Sequence, residues 1–124
     1  MEKPKGNLVL QTLAMPAHAN ANGDIFGGWI MSQMDLGAGM AAKRRSHSRV
    51  ATVAVDSMVF KSPVMVGNSV HVYADIIKVG TTSIKTSIEV WAQCWDSDLT
   101  WKVTEAIFTS VAINAHGQPH PVVR

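Results

Sequence analysis

The sequence holds a single cysteine, Cys94, which excludes an internal disulfide framework and a four-thiolate zinc site. Charge is scarce as well. Lys, Arg, Asp and Glu make up 16% of the 124 residues, where soluble domains average about 25%. The net charge of +2 is too small to argue for nucleic acid. Every apolar run is broken well short of the roughly 20 residues that span a bilayer. The opening Met1-Glu2-Lys3-Pro4-Lys5-Gly6 has no apolar stretch behind its positive charges, so it does not read as a signal peptide. These absences leave one expectation: a single cytoplasmic domain over residues 1–124, with 115–124 as a tail.

Apolar surface, by contrast, is plentiful. Hydrophobic residues make up 47% of the chain and include four tryptophans. A monomer of this size would struggle to hide so much. Part of it is expected to line a pocket and part to lie between subunits.

The periodicity divides the chain into one helix and several strands. Leu8 to Leu13 reads as a first strand, and Met15 to Asp24 as a loop punctuated by Pro, Asn and Gly. From about Gly27 to Arg45 a helical spacing of Ile30, Met34, Gly37, Ala38 and Ala41 predicts a long helix. Its last turn carries Lys43, Arg44 and Arg45, which suit the helix dipole. Gly37, Ala38, Gly39, Ala41 and Ala42 make its middle narrow, as close packing against a sheet would require. Val50–Val55 with Met58–Phe60, then Ser69–Val79, Ser83–Trp95 and Trp101–Asn114, read as strands joined largely by tight turns. In the third of these, Ile84, Ile88, Val90, Ala92 and Cys94 point inward, and Trp91 and Trp95 outward. In the last, Trp101, Val103, Ile107, Val111 and Ile113 share a face. The expected architecture is α+β, a curved antiparallel sheet wrapped around one long central helix.

One stretch carries chemistry: Asn20-Ala21-Asn22-Gly23-Asp24-Ile25-Phe26-Gly27-Gly28-Trp29. It sets a carboxylate beside a turn that runs into a helix N-terminus, where the first amides have no internal partner and favour negative charge. Gly27 and Gly28 have no Cβ, so a ligand can approach the backbone closely. Thioester hydrolysis needs such a pair: donors for the developing oxyanion, and a carboxylate that activates water or attacks directly. The amide of Gly28, or that of Gly27, is the natural donor. The competing reading is that Asp24 caps the helix, worth about 1 kcal/mol. Asn20 and Asn22 could bond the thioester or hold the loop, the commoner role of such residues. Gln33 and Asp35 lie on the helix as surface or inter-subunit contacts, or face the cleft. His18, His47, His71, His116 and His120 have no metal-ligand spacing, and no metal is expected. Cys94 is expected in the core.

The segments Leu13–Asp35, Arg49–Val53, Gly80–Ser83, Ile88–Trp91 and Thr104–Phe108 resemble the YciA-type bacterial acyl-CoA thioesterases, relatives of the brain-type acyl-CoA hydrolases. The resemblance implies a hot-dog fold, acyl-CoA hydrolysis with no cofactor beyond the CoA of the substrate, and Asp24 as the catalytic aspartate. It also implies paired protomers with sites at the subunit boundary, assembled as trimers of dimers. His18 departs from the pattern, since an acidic residue is expected there. CoA carries phosphates, so the cations Arg44, Arg45 and Lys61 and the turn Gly80-Thr81-Thr82-Ser83 become candidate nucleotide contacts. Two other functions compete: a dehydratase acting on acyl thioesters through His18 and Asp35, and a non-catalytic acyl-CoA sensor.

Overall fold

The computed structural model describes residues 2–122. Strand β1 (Asn7–Leu13) leads through a 3-10 turn (Pro16–His18) to helix α1 (Gly27–Ser46). Strands β2 (Arg49–Phe60), β3 (Ser69–Val79), β4 (Ser83–Gln93) and β5 (Thr100–Ile113) follow. All five strands join one sheet in the order β1-β3-β4-β5-β2, and every pairing is antiparallel. The curved sheet wraps α1, a hot-dog fold.

The helix buries Ile30, Gln33, Met34, Gly37, Ala38, Ala42 and Ser46. Gly37 shows why its middle is narrow. A Cβ there would lie 2.7 Å from Val72 Cγ1 and 3.1 Å from Val9 Cγ2, so any side chain would push the helix off β1 and β3. Gly39 answers to no such contact; its missing Cβ faces open space. Ala41 is half-buried against the core, and the helix stops where His47 turns left-handed at φ 55°.

The sheet corrects three expectations. On β5 the buried residues are Val103, Thr104, Ala106, Phe108, Ser110 and Ala112, so Ile107, Val111 and Ile113 lie on the opposite face. A bulge causes this: Val90 pairs with Thr104 but Trp91 with Lys102, and the extra residue reverses the alternation beyond it. Cys94 is only half-buried, because β4 ends at Gln93 and its thiol bonds Asp96 Oδ1 at 2.8 Å. Trp91 is buried within the subunit and donates its indole N–H to Glu89 Oε1 at 2.9 Å. Trp95, at 78% exposure, does stand out in solvent.

That indole belongs to a charged cluster on the outer face of β4 and β5. The Lys102 ammonium lies 2.7 Å from Glu105 Oε1, 3.2 Å from Glu2 Oε2 and 3.7 Å from Glu89 Oε2. Glu105 also holds Lys61, at 2.8 Å. Burial alone would lower the pKa of Lys102; hydrogen bonds to Glu105 and Glu2 and the charges of Glu89 and Glu105 outweigh it and raise the value. Hydrogen bonds from Lys102 first, then Lys61, hold Glu105 at about 2.

The segment after β5 folds back. Pro119 bridges to Ile113, His120 N–H bonds Ala112 O, and Val122 N–H bonds Thr81 O at 2.7 Å. The Val122 side chain completes a small second core with Ala42, Ile84 and Ala112.

Candidate active site

The loop before α1 is held by its own side chains. Asn20 Oδ1 accepts the N–H groups of Asn22 at 2.9 Å and Asp24 at 3.2 Å. Asn20 N–H bonds Asp24 O at 2.7 Å, and Gly23 makes the turn at φ 85°. Isolated bridges from Ala19 to Ile25 and from Asp24 to Met65 tie the loop to itself and to the β2–β3 connection. Of the two roles open to Asn20, the side-chain oxygen performs the holding one.

Asp24 does not cap the helix. Phe26 occupies that position, no side chain caps it, and the first turn contains no acidic residue. The half-buried Asp24 carboxylate has no hydrogen-bond or ion-pair partner among the described residues. Three and four residues on, the N–H groups of Gly27 and Gly28 lie in the first turn, where an α-helix supplies no acceptor. Both glycines are exposed. A Cβ on Gly28 would meet nothing within 4 Å, whereas one on Gly27 would touch the Phe60 ring at 3.5 Å. Beside them lies a cleft of about 400 Å³ lined by Ile25, Gly27, Ile30, Phe60, Lys61 and Val64, among others.

His18 braces this corner. Its ring stacks on Trp29 with centroids 4.5 Å apart, its Nδ1 accepts the Met15 N–H, and its carbonyl accepts the Phe26 N–H. An aromatic stack thus stands where an acidic side chain was expected. Asp35 is engaged elsewhere, accepting the Thr52 hydroxyl, so the pair a dehydratase would need has other partners on both sides. Gln33, read as a surface, inter-subunit or cleft-facing residue, is buried and accepts from Thr12 Oγ1 at 3.2 Å.

Asp24, Asn20, Gly27, Gly28 and Lys61 come together at the N-terminal end of α1. Arg44 and Arg45 do not. They sit sixteen and seventeen residues beyond Gly28, about 24 Å along a helix that rises 1.5 Å per residue. The Gly80–Ser83 turn lies at their end too: Val79 and Ile84 pack on the small core around Ala42, and the carbonyls of Thr81 and Thr82 accept from Val122 and Ala112. Sequence reasoning missed Thr52 and the stacking role of His18. The usable signals were a hydroxyl in an otherwise β-branched apolar run and a histidine eleven positions before a tryptophan, but neither spacing identifies its partner.

Among the described residues no helix is long and apolar enough to cross a membrane. Among the described residues no three His, Cys, Asp or Glu gather as metal ligands would.

Comparison with known proteins shows the family. The thioesterase superfamily is matched over residues 22–93. The acyl-CoA thioester hydrolase YciA of Salmonella typhimurium is 53% identical over 122 residues, covering 96% of this chain and 92% of that one. A hexameric thioesterase from Yersinia pestis superposes with a TM-score of 0.94 at 52% identity, covering 98% and 99% of the two chains. A hexameric hot-dog-fold thioesterase of Campylobacter jejuni gives 0.90 at 40% identity, covering 95% and 91%. With a carboxylate beside open helix amides, a hot-dog fold and near-complete alignment to these enzymes, the chain belongs to the thioesterase superfamily and, within it, to the YciA-type acyl-CoA thioester hydrolases.

Proposed function

We propose that this enzyme splits acyl-CoA into a carboxylic acid and free CoA, with Asp24 as the reacting carboxylate and the Gly28 amide as the principal oxyanion donor. The observation that carries the assignment is the Asp24 carboxylate, without a partner in the described chain, beside a helix start where the Gly28 Cβ position opens on empty space. Oxygen adds to the thioester carbonyl carbon, and the negative charge gathers on the carbonyl oxygen, where the Gly28 N–H, aided by that of Gly27, stabilises it. The C–S bond then breaks and CoA leaves as its thiolate. The attacking oxygen comes from water deprotonated by Asp24, or from Asp24 itself through an anhydride that water cleaves. Both routes give the same products without a cofactor. Asn20 holds the loop that presents Asp24. Release of free thiol from a panel of acyl-CoA esters tests the activity; a protein that releases none refutes it.

The working unit is an oligomer. Strand β2 is a sheet edge with Val53 59%, Val59 57% and Phe60 46% exposed, and α1 shows Met31, Leu36 and Met40 beside it. An edge this long and apolar invites pairing with a second copy. Related thioesterases are described as hexameric, which matches a dimer repeated three times. Light scattering at micromolar concentration is expected to return a hexamer, and an active monomer would overturn this reading.

An oligomer also accounts for the divided nucleotide candidates. One CoA can meet Asp24 of one subunit and Arg44, Arg45 and the Gly80–Ser83 turn only if the latter come from a neighbour. Lys61 lines the cleft beside Gly27 in the same subunit but is already paired with Glu105. Exposed cation–phosphate contacts weaken as the Debye length falls from about 10 Å at 0.1 M salt to about 3 Å at 1 M. Added salt is therefore expected to raise KM for acyl-CoA more than for an acyl-pantetheine ester lacking the nucleotide. Neutralising Arg44 and Arg45 together should narrow that difference. If KM and salt response both survive in the double variant, the phosphates are held elsewhere, with Lys61 next in line.

A further inference from the structure

The tail after β5 is a built element. Asn114 turns the chain back: its Oδ1 accepts the N–H groups of His116 at 2.9 Å and Gln118 at 3.0 Å. Its own N–H bonds Gln118 O at 2.8 Å, and Gly117 takes the bend at φ 75°. The chain then returns beside β5 as far as Val122, whose side chain is only 4% exposed in one small core with Ala42, Ile84 and Ala112. Two of these neighbours lead to groups already singled out. Ala42 directly precedes Lys43, Arg44 and Arg45 in the last turn of α1, and Ile84 directly follows the Gly80–Ser83 turn. Val122 therefore shares a core with both the helix end and the turn.

The tail also fixes how the turn faces. Thr81 O accepts the Val122 N–H at 2.7 Å, Thr82 O accepts the Ala112 N–H at 2.9 Å, and Ser83 O accepts the Gly80 N–H at 2.7 Å. Three successive carbonyls are thus engaged, and an outward carbonyl oxygen would repel a phosphate. Across a trans peptide the C=O and N–H point opposite ways, so holding Thr81 O on the tail turns the Thr82 N–H away from it. We propose that Val122 is a positioning residue for the CoA nucleotide. By packing with Ala42 and Ile84, it keeps the Gly80–Ser83 turn and the cations of the helix end in one phosphate-binding arrangement. The proposal rests on the assignment of the nucleotide to Arg44, Arg45 and that turn. Burial of a valine side chain favours the docked tail by at least about tenfold, whereas a carboxylate in its place would be driven out into water. With the tail undocked, the competent arrangement is populated only part of the time, and CoA affinity falls by that fraction. The coupling also runs the other way: CoA must tighten the tail by the factor by which the tail tightens CoA.

The test compares kcat and KM of the wild type, Val122→Asp and Val122→Ile, with an acyl-CoA and with the matching acyl-pantetheine ester. Val122→Asp is expected to raise KM for the acyl-CoA at least about fivefold. Its KM for the acyl-pantetheine ester and its kcat for both should stay within about twofold, since the reacting centre is untouched. Val122→Ile, still apolar, should keep the wild-type KM. A rise in KM shared by both esters, or a matching fall in kcat, would overturn the proposal and leave the tail as general support of the fold. An unchanged KM for the acyl-CoA would overturn it too. Hydrogen exchange in the wild type carries the test even if Val122→Asp does not fold. Saturating CoA should slow exchange of the Val122 amide at least about fivefold, and pantetheine should not. Equal exchange with and without CoA would refute the coupling. Failure of the nucleotide assignment would look different: neutralising Arg44 and Arg45 would then leave KM for the acyl-CoA unchanged as well. If that pair raises KM and Val122→Asp does not, the nucleotide site stands and only the tail's part in it falls.

Discussion

Asp24→Ala is expected to lower kcat for acyl-CoA hydrolysis by roughly 10²- to 10⁴-fold, the range over which a positioned acid or base contributes. Asp24→Asn should leave only a trace, because the amide keeps the shape but neither takes a proton nor attacks a carbonyl. Folding should be almost untouched. The carboxylate has no partner to lose among the described residues, and the loop bonds to residue 24 use its backbone N–H and C=O. A stability change within about 0.5 kcal/mol is the expectation for such a site. Thiol release and a thermal melt on the same preparations check both halves. Had Asp24 been the helix cap, the pattern would be reversed, with turnover intact and about 1 kcal/mol of stability lost. Phe26 at the cap position argues for the first pattern.

The second large effect concerns stability. Lys102→Met should destabilise the fold by roughly 3–5 kcal/mol, because it leaves a buried carboxylate uncompensated. The side chains of Lys102 and Glu89 are only 9% and 4% exposed. Without the ammonium, Glu89 keeps the Trp91 indole and a long contact from Lys5 N–H at 3.4 Å, with no other ion-pair partner among the described residues. Adding Glu89→Gln to Lys102→Met should recover much of the loss, since the neutral amide still accepts from the indole. Denaturant titration of the single and double variants measures both steps. Equal stability in wild type and Lys102→Met would mean that water reaches this cluster freely.

The same cluster has a pH signature. Glu105 titrates at about 2 in the folded protein, against an ordinary 4.5. Its folded value lies below its unfolded one, so its contribution is complete above about pH 4.5 and is lost as the pH falls towards 2. With 39% of its side chain exposed, solvent screening keeps that contribution modest. The stability gap between wild type and Lys102→Met should therefore narrow over this acid window, as Glu105 takes up its proton.

How much of this was legible beforehand differs from element to element. The long helix, the approximate strand extents and the antiparallel sheet follow from period, punctuation and the absence of proline inside the elements, all local properties of the chain. The Asn20–Gly28 segment was legible for the same reason: turn, carboxylate and helix start adjoin in sequence. Local alternation failed on β5, where one bulged residue near Val103 exchanged the two faces. It failed again at Trp91, because burial on the outer face depended on Lys102 and Glu89, neighbours supplied by strand pairing.

What the sequence determined by itself is therefore the set of elements and the contiguity of the proposed reacting segment, since both are written in contiguous residues. Tertiary structure alone decided the rest. It gave the helix cap to Phe26 and left the Asp24 carboxylate without a partner among the described residues. It paired Asp35 with Thr52 across seventeen positions and bound Lys61 to Glu105 across forty-four. It also set the cations after the helix about 24 Å from Gly28. Each of these depends on how one rigid helix lies across the sheet, and close packing of Gly37 against Val72 and Val9 fixes that placement.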